Sequence, residues 1–174
     1  MPDTGWITFP SVITESPLRT SSVTVNIGGT WNGSTYEGGR AYACELEDIN
    51  YSLDNSVKSQ FCIGSGVSDY ATRILRGARA HTLTISRLMR DYIMQRLADT
   101  NETFGINIVA TGAEFESGKN LSAQFVFPRC TVLGAEQGIT DNYNSESVKI
   151  AVLTDVTNNS IWCQVANKAT KYAG

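Results

Sequence analysis

The sequence predicts a mainly β chain, with antiparallel sheets of the sandwich or barrel-forming kind and one α-helix at about 87–98. Three observations carry this. Apolar and polar residues alternate in many short runs, Gly-, Ser- and Asn-rich stretches separate those runs, and the period changes from two to three-and-four in only one place.

Taken in order, strand character covers residues 18–27, 41–49, 57–63, 80–85, 104–111, 121–133, 148–154 and 160–166. Between them lie turn-rich stretches such as GGTWNGSTYEGG, GSGVSD and TGAEFESGKN. The period change falls in HTLTISRLMRDYIMQRLADT, residues 81–100. Leu83 and Ile85 alternate with threonines and Ser86, then Leu88, Met89, Tyr92, Ile93, Met94 and Leu97 recur at three and four. A strand is therefore expected to run directly into a helix capped by Ser86. That helix would close at Asp99, Thr100 and Asn101, and its packing face would be Leu88, Met89, Tyr92, Ile93 and Leu97. Two segments lack periodicity, an N-terminal arm over 1–17 and an irregular stretch over 64–79.

At 174 residues, 41% apolar and 18% charged, the chain reads as a single domain spanning 1–174. A net charge of −3 argues against gripping nucleic acid by its phosphates. The N-terminus has no basic start followed by an apolar run, and no stretch reaches the ~18 apolar residues of a membrane span. A soluble, unexported chain is the expectation, in which the five Asn-x-Ser/Thr triplets are chance.

Catalytic constellations fail on residue spacing. GAEFESGKN follows a strand, yet its glycine spacing is one residue too long for a phosphate-cradling loop, and Asn120 stands where Ser or Thr would hold magnesium. It reads as a hairpin turn. His81 is the only imidazole, and it shares a strand face with Leu83 and Ile85, which favours a half-buried or interface role. Cys44, Cys62, Cys130 and Cys163 are 18, 68 and 33 residues apart with no C-x-x-C pair, so the usual zinc frameworks are excluded and reduced structural thiols are expected. No catalytic residue, cofactor site or metal site is assigned. Glu45 and Glu47 in ACELEDI, and Glu114 and Glu116 two residues apart in a turn, read as solvated faces or as an acidic wall around a channel.

The polar arm, hairpin, long irregular segment, GARAHTLTISRLMRDYIMQRL, second hairpin and FVFPRCTV, in that order, resemble the tail tube proteins of tailed bacteriophages, over roughly residues 18–155. The resemblance implies a structural virion protein and no enzyme. It implies hexameric rings that stack into a tube through which DNA passes, with the helix outside the barrel. It also implies self-association, tail terminator, tape-measure and baseplate or tip partners, and a location in the virion tail after assembly in host cytoplasm. Whether a contractile sheath surrounds the tube stays open. By the same resemblance Glu45 and Glu47 are lumen candidates, and residues 64–79, with Arg73, Arg76 and Arg79, would meet the neighbouring ring. The alternatives are a monomeric β-sandwich binding carbohydrate or protein through Trp6, Trp31, Tyr36 and Trp162, and the inner tube of a contractile injection system.

Overall fold

The computed structural model describes residues 18–42, 45–60, 73–140, 142–154 and 159–168. After a 3-10 turn at Thr20–Ser22 come β1 (Val23–Trp31), β2 (Tyr36–Tyr42), β3 (Leu46–Asp54), β4 (Val57–Gln60), β5 (Arg73–Arg76) and β6 (Ala80–Leu88). Then follow the helix α1 (Ile93–Thr100) and β7 (Phe104–Glu116), β8 (Lys119–Thr140), β9 (Tyr143–Val152) and β10 (Trp162–Ala166). The mainly β expectation holds, with α1 as the one α-helix among the described residues.

Seven strands form one antiparallel path, β2-β1-β7-β8-β9-β6-β3, and β10 pairs with β8; β4 and β5 make a separate two-stranded ribbon. Laid flat, six strand spacings would put β2 and β3 roughly 28 Å apart. Yet they are consecutive, and the three-residue link 43–45 covers four Cα steps, at most about 15 Å. The sheet must therefore curl until its two end strands approach. No ladder joins β2 to β3 among the described residues, so a seam remains there.

The curl is made along β8. Its first part pairs with β7 and with β10, its second part with β9. The register against β7 slips between Ile106↔Phe127 and Phe104↔Cys130, leaving Pro128 and Arg129 opposite a single β7 residue. Pro128 has no N–H to donate, so a bulge is where a central strand tolerates it. The Leu153 N–H takes up the Arg129 carbonyl at 2.8 Å. Both halves consequently share one core: Val25 and Ile27 of β1, Leu83 and Ile85 of β6, Ile106, Phe127, Val148 and Ile150 lie in a single buried cluster.

The helix differs from expectation in place and face. β6 runs on to Leu88, Ser86 is a strand residue, and 89–92 form a short loop before α1 begins at Ile93. The strand persists because Arg87, a residue that reads as solvent-facing, is fully buried opposite Glu146. The N-cap position falls on Tyr92, which makes no side-chain cap bond; one residue earlier, the Asp91 carboxylate accepts the Ile93 N–H at 3.3 Å. With the start moved, the packing face becomes Met94 and Leu97, with Ile93 and Ala98 partly buried. Leu88 and Met89 precede the helix, and Tyr92 is 69% exposed. Asn101 closes the helix at φ 55°, a left-handed conformation that asparagine tolerates. No helix among the described residues is long and apolar enough to cross a membrane.

Candidate assembly surfaces

The expected acidic pair is not a pair. β3 begins at Leu46, and a register shift between Leu46 and Asp48 breaks the alternation that would align Glu45 with Glu47. Glu47 is exposed. Glu45 is buried, 3.4 Å from Arg40 and 3.6 Å from Arg90.

Glu45 belongs to a charge cluster that fastens the seam. Arg87 Nε donates to Glu146 at 2.6 Å, with both side chains fully buried, and Arg87 Nη2 donates to the Asp91 carboxylate at 3.0 Å and the Asp91 carbonyl at 3.1 Å. Arg40 of β2 reaches the same Asp91. Both guanidinium groups lie over the Tyr42 ring, Arg40 at 5.0 Å and Arg87 at 5.7 Å from its centre. Burial alone would raise the pKa of Asp91; hydrogen bonds from Arg87, Arg40 and the Ile93 N–H outweigh it and hold the carboxyl below its ordinary range. Burial likewise pulls Arg87 down, and Glu146 and Asp91 hold it above its usual value. Arg87 and Glu146 are 59 residues apart, with no local signal of their meeting.

Beyond the seam, the half-sheet β3-β6-β9-β8 presents an outward face of small polar residues. One row across it is Ser52, Thr82, Ala151 and Thr131; the next is Asn50, Thr84, Lys149 and Gly134. A third row at its rim is Asp48, Ser86, Ser147 and Glu136. β3 lacks a strand partner on one side, and so does β8 beyond Cys130, where α1 packs against it. Neither stretch contains Lys or Pro, the usual protection of an edge, and Leu53 and Leu133 stand exposed on them.

At the far end of the β3-β6 ladder the chain continues into the β4-β5 ribbon. Ser56, at φ 43°, and Gly77, whose N–H meets the Ser56 carbonyl at 2.9 Å, mark its base. The segment 64–79 was expected to be irregular. Its described part is instead the strand β5 and the link to β6, with Arg73 and Arg76 on the strand and Arg79 on the link. Residues 64–72 and the N-terminal arm 1–17 lie outside the described residues. Val57, Ile74 and Leu75 are exposed, Ile74 by 70%. A two-stranded ribbon with both faces wet is marginal on its own.

Of the aromatic residues proposed as a binding platform, Trp31 and Tyr36 are partly buried and Trp162 is exposed. Tyr36 lies across Gly29 and Gly105, accepting the Gly29 N–H at 2.8 Å and donating to the Gly105 carbonyl at 2.9 Å. Trp31 is partly buried and packs 5.6 Å from Trp162, which is 41% exposed; Trp6 lies outside the described residues. His81 is half-buried, its Nδ1 2.7 Å from the Tyr51 hydroxyl. Glu114 accepts the Gly118 N–H and Glu116 pairs with Lys119; within TGAEFESGKN the hairpin turn is Ser117 and Gly118 alone, and Glu114 and Glu116 lie on β7. Cys130 is buried and Cys163 exposed, both free thiols; Cys44 and Cys62 lie outside the described residues.

No protein-family model matches the chain, and no curated protein does. Among solved structures it is similar to a chain of the anti-feeding prophage baseplate, at 13% identity over 78% of this chain and 91% of that one, TM-score 0.47. It is also similar to the SPP1 tail tube, at 10% identity over 78% and 75%, TM-score 0.47. A third is Hcp1 from E. coli EAEC 042, at 12% identity over 83% and 97%, TM-score 0.43. These likenesses are faint, and no residue of this chain takes a role from them.

Proposed function

We propose that this chain is a structural subunit that polymerises into a hollow tube, as stacked rings of six copies in the tail of a virion, through which DNA leaves. The observation that carries the reading is the half-sheet β3-β6-β9-β8, with a small-residue polar face and, on each flank, a stretch that lacks a strand partner among the described residues. Pairing β3 of one copy with the second part of β8 in the next would satisfy both edges, and repetition around a ring would leave none open. The face rich in Ser, Thr and Asn would then line the channel.

Such a lining suits passage of a polyanion. Its charges are Asp48 and Glu136 at the rim, Lys149 in the middle row, and Asp54 and Arg129 where the same face continues past Ser52 and Thr131, a mixed set with no basic cluster to gain affinity by releasing counterions from phosphate. Glu47 stays a rim candidate for the lumen; Glu45 is spent in the seam. Terminator, tape-measure and baseplate or tip proteins would be partners at the two ends, and assembly would take place in host cytoplasm. The aromatic-platform reading loses Tyr36, which is hydrogen-bonded into the sheet.

Negative-stain electron microscopy of dilute and concentrated protein, beside its mass in solution, tests this. Rings or hollow tubes with a central channel are expected. A compact monomer that persists at high concentration would overturn the reading in favour of a binding module.

A further inference from the structure

Where β1, β7, β8 and β10 lie side by side, the core face of the sheet runs on past the core. Ile27, Ile106 and Phe127 form one row of that face and are buried. Two residues along each strand, and so on the same face, comes the row Val25, Ile108, Phe125 and Cys163; two further on comes Val23, Ala110, Ala123 and Val165. Exposure rises across the rows. Val25 is 4% exposed, Phe125 39%, Val23 37% and Val165 57%. Past the last row Leu18 lies over Gly112, its Cδ2 2.9 Å from where a Cβ would stand on that glycine. None of these residues is charged, so an apolar strip continuous with the core lies open to water.

Leu18 is also where the described chain begins, which puts residues 1–17 beside the strip. Those seventeen residues reach at most about 60 Å, whereas the strip from Gly112 to Ile106 is only about 20 Å long. Within the arm, Trp6, Ile7, Phe9, Val12 and Ile13 fall in eight consecutive residues. The other stretches outside the described residues are poorer candidates. Residues 169–174, which follow β10, bring one large side chain with apolar surface, Tyr172; residues 155–158 bring Val156, and residues 61–72 join β4 to β5 away from this sheet.

We infer that residues 6–13 of the N-terminal arm lie along this strip of their own chain, covering Val23, Ala110, Ala123 and Phe125 and leaving Cys163 at the margin. The arm closes the open end of the core. The occupant is the same chain's arm because Leu18 tethers it there, and a tethered segment meets its site at a higher effective concentration than a segment from a second copy. The inference concerns the single subunit and stands apart from the tube reading.

Cross-linking to Cys163 tests it. Full-length I7C, F9C and V12C are each treated, dilute, with a short bismaleimide as an equal mixture of isotopically light and heavy chains, and the linked peptides are identified by mass mapping. A link to Cys163 from at least one position, joining peptides of one label only, is expected. Links that join light to heavy peptides in statistical proportion would show a second copy's arm on the strip and overturn the inference, as would no link to Cys163 from any of the three positions. Full-length W6S/F9S, shown to be folded by circular dichroism, should bind about three-fold more anilinonaphthalene sulfonate than wild type, because the strip is uncovered. Equal dye binding would overturn the inference too.

Discussion

The β3-β6 ladder ends in two opposite ways. At the seam, Arg87, Glu146 and Asp91 bring charge inside and satisfy it with one another, and the guanidinium groups of Arg40 and Arg87 both lie over the Tyr42 ring. At the ribbon, arginines and aliphatic side chains share a two-stranded strip that water reaches from both sides. Buried charge that is paired fixes one conformation and is costly to disturb; exposed charge on a thin ribbon adds almost nothing to stability and is free to meet a partner. The first end holds the subunit together, and the second contributes little to that.

The largest effect expected is at the seam. Glu146→Leu should cost about 3–5 kcal/mol by leaving Arg87 buried without its main counter-ion, while Arg87→Met with Glu146→Leu should recover much of that loss. Calorimetric melting of both variants checks it; an equal loss in both would mean that shape rather than charge is what the site requires. Next is Gly29→Ala. Its Cβ would sit 2.6 Å from the Tyr36 ring and from the Glu37 carbonyl, and about 1–3 kcal/mol of destabilisation should appear as a lower urea midpoint.

A smaller effect, graded with pH, should come from Asp91. Its folded pKa is depressed, so its contribution is complete above the ordinary carboxylate range and is lost as pH falls through the lower, folded value. Urea midpoints measured from pH 6 to pH 2 should fall more steeply in wild type than in Asp91→Asn. Smallest of all, Ile74→Ser on the ribbon should change stability by less than about 0.5 kcal/mol, read as an unchanged melting temperature. The thiols sharpen the same contrast: a maleimide at pH 8 should label Cys163 in native protein. Cys130, whose pKa burial pushes up to about 12, should react only after unfolding, as peptide mass mapping would report.

What the sequence made legible follows the reach of each signal. Alternation is local, so β6, β7 and β9 were visible, and so was the hairpin turn at Gly118, whose φ of 75° favours glycine. Strand ends were missed wherever a distant partner set them. β6 outruns its expected end because Glu146 receives Arg87, and β1, expected over 18–27, instead runs on to Trp31 against β2. β5 fell inside the segment expected to be irregular, whereas β4, its partner in the ribbon, lay within the strand expected over 57–63. The aligned Glu45 and Glu47 failed for a different reason, a one-residue register shift that no composition reveals.

β8 carries a further consequence. One unbroken 22-residue strand serves both halves of the sheet, turning at Pro128 without leaving it. Neither half can melt while the other persists, because the strand whose loss would free one is a wall of the other. The subunit should therefore unfold in a single cooperative transition, with the slowest-exchanging amides of β7 and β9 opening together in one global event.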